Sequence, residues 1–135
     1  MMVSHTLTDH EQACRTIFAE LDRAWQWDDR LETALVTFSR EENESVLALL
    51  DRVFSSCWTS GTLSTAPQEV RQLIDEAAGL DAGQRFYHSP LDGGAFIFGA
   101  VWPWGNGQTI SLRVGYREPD KAAALEELKA WFALT

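Results

Sequence analysis

The stretch Ala95-Phe96-Ile97-Phe98-Gly99-Ala100-Val101-Trp102-Pro103-Trp104-Gly105-Asn106-Gly107-Gln108-Thr109-Ile110-Ser111-Leu112-Arg113-Val114 carries the clearest fold signal in the chain. Ala95 to Trp102 is an almost unbroken apolar run, the pattern of a strand covered on both faces or packed under helices. Gln108 to Val114 alternates instead, with Ile110, Leu112 and Val114 projecting one way and Thr109, Ser111 and Arg113 the other. Pro103-Trp104-Gly105-Asn106-Gly107 joins them as a hairpin loop, because Asn-Gly accepts the left-handed backbone of a tight turn.

Working outward, Arg85-Phe86-Tyr87-His88 reads as a third short strand. It is set off by the turn residues Ser89-Pro90-Leu91-Asp92-Gly93-Gly94. Strands are expected at 84–88, 95–102 and 108–115, forming a three-stranded antiparallel β-meander. Pro119 then opens a closing helix over 119–133, with Leu125, Leu128 and Phe132 inward.

The first half of the chain reads as helical. Thr8 and Glu11 have capping-box spacing, and Cys14, Ile17, Phe18, Leu21 and Trp25 follow at helical intervals, predicting a helix over 9–26. Ser39 and Glu42 form a second capping box before the stripe Val46, Leu47, Leu50, Val53, Phe54, Cys57 and Trp58, predicting a helix over 41–58. Thr65 and Pro67 open a helix over 66–78, with Val70, Leu73, Ile74 and Ala77 inside and Gly79 as terminator. Residues 29–38 satisfy both periods. Leu31, Ala34, Leu35 and Phe38 keep the helical spacing, whereas Thr33, Val36 and Thr37 favour a strand; a short helix capped by Asp28 or Asp29 is expected. The whole is a single α+β domain over residues 1–135, with N-terminal helices packed on the meander in two layers and a C-terminal helix closing it. Ile17, Phe18, Leu21, Leu47, Leu50, Phe54, Leu73, Phe98, Leu112 and Phe132 are the expected core.

Charge narrows the partners. Twenty acids against eleven bases give a formal charge of −9 over 135 residues. Binding nucleic acid or anionic lipid calls for clustered Lys and Arg, yet the only lysines are Lys121 and Lys129 and the arginines are scattered. Neither nucleic acid nor membrane is expected as a partner; a protein that is basic or carries a basic patch is, since opposite potentials speed encounter. Residues 1–50 hold ten acids and four bases, whereas residues 84–117 hold Asp92 against Arg85, Arg113 and Arg117. An acidic recognition surface is therefore expected from Asp28, Asp29, Glu41, Glu42 and Glu44. The same acids sit at expected helix starts, where the helix dipole favours them without any recognition role.

Catalytic and metal-binding patterns are weak. His5, His10 and His88 have no zinc-ligand spacing with the cysteines, so no metal and no cofactor is expected. Cys57, His88 and Asp92 make a triad on paper, but Cys57 falls in an apolar stripe, where burial would leave its thiol inert. Cys14 and Cys57 read as reduced core residues. The first nine residues lack the basic and apolar regions of a secretion signal, and a cytoplasmic location is expected. Trp102-Pro103-Trp104 is unusual, with two tryptophans at a hairpin end that cannot both be buried easily. Trp104 at the tip is expected either to be exposed, as a protein-binding anchor, or to fold back over the closing helix near Trp131.

Three functions compete on these residues. A protein-binding module that neutralises or escorts its partner, such as the immunity protein of a bacterial toxin, is favoured over an enzyme. The alternative is a small-molecule pocket between helices and sheet, lined by Phe86, Phe96, Phe98 and Trp102. An enzyme using His88 or Cys57 comes third.

Overall fold

The computed structural model describes residues 2–76, 79–91 and 94–134, with side chains from Asp9 onward. The elements run α1 (Met2–Glu20), β1 (Gln26–Asp28), β2 (Thr33–Ser39), α2 (Asn43–Val53), β3 (Ser56–Trp58), α3 (Gln68–Glu76), β4 (Arg85–His88), β5 (Phe96–Pro103), β6 (Thr109–Arg117) and α4 (Lys121–Trp131). The strands form one antiparallel sheet in the order β1-β2-β6-β5-β4-β3.

The expected three-stranded meander is therefore only the central and right-hand part of a six-stranded sheet. β4, β5 and β6 pair as anticipated, with Tyr87 opposite Gly99 and Val101 opposite Leu112. The missing strands come from two misread segments. Residues 33–39 are β2 rather than a short helix, because Ala34, Val36 and Phe38 alternate onto one core and the strand gains β6 as partner, Val36 opposite Leu112. Pairing along a whole strand outweighs a helical period sustained for less than three turns.

The helix expected over 41–58 stops at Val53, because Phe54 adopts an extended backbone with ψ 146°. Residues 56–58 then become β3, with Cys57 opposite Tyr87. Phe54, Cys57 and Trp58 match a helical stripe by coincidence of spacing. α1 spans Met2–Glu20 rather than 9–26, so Thr8 lies inside the helix and not at its start. Trp25, past the helix end, is still buried, and its indole N–H donates to the Leu21 carbonyl at 2.9 Å.

Nor is the architecture two-layered. Ile17, Leu50, Tyr87, Ile97, Leu112 and Phe132 belong to a core between one sheet face and α1, α2 and α4. Phe86, Phe96 and Ala100 face the other way and join Val70, Leu73 and Ile74 of α3 in a second core. Adjacent residues such as Phe86 and Tyr87 enter different cores because strand side chains alternate. α3 covers only the β3-β4-β5 side of that second face.

Most of the expected core is buried: Ile17, Leu21, Leu50, Phe54, Leu73, Leu112 and Phe132. Phe18, Leu47 and Phe98 are partly buried and pack against the cores from the edge. The Ser39–Glu42 box forms, the Glu42 carboxylate accepting from the Ser39 N–H and hydroxyl, both at 3.1 Å. Gly79 terminates α3 as expected, with φ +82° and its N–H donating to the Ile74 carbonyl at 2.8 Å. Ala77, assigned to the inner face of α3, lies outside the described residues.

Candidate functional site

Two surfaces gather chemistry. The first is the end of the sheet where the β5–β6 hairpin turns. Asn106 organises this tip, its side-chain oxygen accepting from the N–H groups of Gln108 at 2.9 Å and Thr109 at 3.0 Å. The Trp104 N–H donates to the Thr109 carbonyl at 2.8 Å, and Gly107 takes φ +70°. The loop is thereby braced while the Trp104 side chain stays outside, half exposed, the one exposed large hydrophobic among the described residues.

β2 delivers the acids to the same end. The Arg40 N–H donates to the Gln108 carbonyl at 2.8 Å, which clamps the single helical turn Arg40–Glu42 beside the hairpin. Glu41 and Glu44 are exposed there. Glu42 is not free: it pairs with Arg23 and caps Ser39. The Arg23 guanidinium, followed by the Ser39 hydrogen bonds, lowers its pKa to about 2. Arg40 contributes one cation to this end, so the acids form a rim and not a uniform patch.

Asp28 and Asp29 are elsewhere. They lie before the start of β2 and Glu41 lies after its end, a separation of about 20 Å along a seven-residue strand. The five acids do not form one surface. Asp29 is exposed in the β1–β2 turn. Asp28 is largely buried on the second sheet face, its Oδ2 accepting from Arg113 Nε at 2.9 Å. Burial works to raise its pKa, but the Arg113 hydrogen bond and the backbone N–H groups of Arg30 and Leu31 outweigh it and hold it low. Sequence spacing could not reveal this, because Arg113 is 85 residues away.

The second surface is a cleft of about 190 Å³ on the sheet face that α3 leaves uncovered. Leu73, Ile74 and Leu80 form one wall and Arg30–Thr33 of the β1–β2 turn the other. Its floor is Phe86, Phe98, Ala100 and Trp102 of β4 and β5 with Arg113 of β6. Three of the four aromatics expected to line a pocket, Phe86, Phe98 and Trp102, do so. The fourth, Phe96, is buried beside it in the α3 core. Missed in the sequence were the polar members: Thr33, read as part of a helix, and Arg113, read only as an outward residue of a strand.

His88 and Cys57 do not meet. His88 is opposite Ser56 and Cys57 opposite Tyr87, which puts the imidazole and the thiol on opposite faces of the sheet. The His88 ring is fully engaged: Nε2 accepts from the Trp58 indole N–H at 2.8 Å, leaving Nδ1 to donate to the Ser89 carbonyl at 2.8 Å. Burial, opposed by the Ser89 hydrogen bond, lowers its pKa and keeps the ring neutral. Cys57 is exposed on β3, contrary to the core position expected, and partial desolvation raises its thiol pKa. Cys14 is the buried cysteine. Asp92 and the His5 side chain lie outside the described residues. Among the described residues no three His, Cys, Asp or Glu side chains cluster as metal ligands, and no helix is long and apolar enough to cross a membrane. No protein-family model, curated protein or solved structure matches this chain.

Proposed function

We propose that this protein acts by binding a basic partner protein through the hairpin end of its sheet, with Trp104 as anchor and Glu41 and Glu44 as the acidic rim. The observation that carries this reading is the half-exposed Trp104 on a loop rigidified by Asn106. A pre-ordered aromatic loses little entropy on docking, and an apolar centre with a charged rim is the usual anatomy of an interface hot spot. Burying the remaining half of a tryptophan's roughly 250 Å² contributes about 3 kcal/mol, or about 100-fold in affinity. The rim acids contribute mainly to association rate. Capture of this kind suits a cytoplasmic protein that neutralises or escorts its partner, as an immunity protein does a bacterial toxin. The free cysteines accord with a reducing compartment.

The test is affinity capture from the native host with four baits. Wild type and Asp29→Lys should retain the same partner, whereas Trp104→Ala and the Glu41→Lys/Glu44→Lys pair should lose it. Equal capture by all four would refute the assignment of this end.

A further inference from the structure

The cleft between α3 and the open half of the sheet is separate from the hairpin end and has its own chemistry. In a chain of charge −9, its lining holds four cations, Arg30, Arg113, Arg117 and Lys121, against two carboxylates, Glu32 and Glu76. Arg117 pairs with Glu76 and Lys121 with Glu32 at the rim. Arg113 is different, being only 14% exposed and held from three sides. Its Nε donates to Asp28, one terminal nitrogen donates to the Ser111 hydroxyl at 3.1 Å, and its guanidinium lies 4.8 Å from the Trp102 ring centroid. Two of its five N–H groups are thus used, and the other three have no protein acceptor among the described residues. A guanidinium fixed in this way is prepared for a carboxylate without further ordering.

Two further donors are left without partners. Thr33 lines the cleft at 2% exposure, and its hydroxyl has no hydrogen-bond partner among the described residues. The Trp102 indole N–H is buried and also unpartnered among the described residues. Buried polar groups are normally paired, since leaving one unpaired costs about 1–3 kcal/mol. Thr33, Trp102 and Arg113 all border one cavity, and all three can donate.

The rest of the lining is apolar and low. Ala100 adds only a methyl group to the floor, and Phe98 lies flat over Gly115, where an added Cβ would sit 2.2 Å from the ring. Leu73, Ile74, Leu80 and Phe86 complete the apolar side. A cavity of about 150 Å³ accommodates benzene. The 190 Å³ here therefore fits a single ring bearing a small charged group.

We propose that this cleft binds a small aromatic monocarboxylate, its ring between Phe98 and α3 and its carboxylate at Arg113, Thr33 and Trp102. A ligand of about ten heavy atoms at ordinary efficiency binds near 1 mM or somewhat tighter, which suits detection by NMR titration.

The experiment titrates the full chain with phenylacetate, its neutral amide phenylacetamide, acetate and inorganic phosphate, following amide and indole N–H resonances. Phenylacetate should bind at one site, moving the Trp102 indole N–H and the Thr33 and Arg113 amides, and the other three compounds should bind at least about tenfold more weakly. Thr33→Val should weaken phenylacetate about tenfold, since a carboxylate loses one buried donor, without lowering the thermal midpoint. Ala100→Leu, which fills the floor while leaving every donor, should abolish binding. Equal binding of phenylacetamide would reduce the cleft to an apolar hollow, and equal binding of phosphate would make it a general anion site. Either result overturns the proposal, as do shifts that avoid Trp102 and Thr33 or no saturation by about 10 mM.

Discussion

Replacing Gly115 by alanine tests how the second sheet face is built. Its backbone is not in the left-handed region, so alanine meets no conformational penalty; the whole effect comes from Phe98. An alanine Cβ would stand 2.2, 2.4 and 2.9 Å from three atoms of that ring, where ordinary contact begins near 3.4 Å. Phe98 must withdraw by more than 1 Å, but Phe86 is stacked against it at 5.3 Å. Overpacking of this severity costs about 3 kcal/mol, the upper end for an added methyl group. Alanine's smaller unfolded-state entropy offsets about 0.5–1 kcal/mol, for a net loss of about 2 kcal/mol. For a chain of this length that lowers the thermal midpoint by about 7 °C.

Calorimetry on Gly115→Ala, Phe98→Ala and the double variant measures it. Once the ring is absent, adding the methyl group should cost less than about 0.5 kcal/mol, a coupling of about 1.5–2 kcal/mol. Gly99→Ala is the control, its Cβ approaching the Phe54 ring only to 3.2 Å. It should cost about 1 kcal/mol or less. A loss below about 0.5 kcal/mol at Gly115, or the same loss with and without Phe98, would refute the packing described here.

Phe54→Ala should cost about 3–5 kcal/mol in chemical denaturation, since the ring is buried against Tyr87 and Gly99. Thr33→Val should raise stability by about 1 kcal/mol by removing a buried unpaired hydroxyl, read as a higher urea midpoint at unchanged slope. Exchanging Glu41 and Glu44 for lysine should change stability by less than about 0.5 kcal/mol, whereas Glu42→Lys should cost more because it ends both the Ser39 cap and the Arg23 pair. His88 protonates less readily when folded than when unfolded. Its contribution to stability is therefore complete above an unfolded-state pKa of about 6.5 and is lost as pH falls below it. An NMR titration should find the His88 midpoint below that of an ordinary histidine, with Nδ1–H as the tautomer of its neutral form.

How much of this was legible depends on how local each signal is. β4, β5, β6 and the Asn106-Gly107 turn could be read because alternation and turn chemistry act within a few residues. Gly79 and the Ser39–Glu42 cap were readable for the same reason. β2 was not, because Thr33–Ser39 carries both periods and only β6, some 75 residues on, resolves them. β3 was hidden because Phe54, Cys57 and Trp58 continue a helical stripe that Phe54's extended backbone has already ended. At the sites, Trp104 could be anticipated from its place in a hairpin tip, and so could the aromatic lining of the cleft. The engagement of Asp28 by Arg113 and the orphaned Thr33 hydroxyl could not, since both arise only when β1, β2 and β6 are laid side by side.

The proposed partner docks at the hairpin end and not at the opposite end of β2. A photo-cross-linking residue placed at Trp104, and separately at Asp29, tests it in the native host. A covalent adduct to one basic protein is expected from position 104, weakened by the Glu41→Lys/Glu44→Lys pair, and none from position 29. An adduct from position 29 alone, or none from position 104, would contradict it.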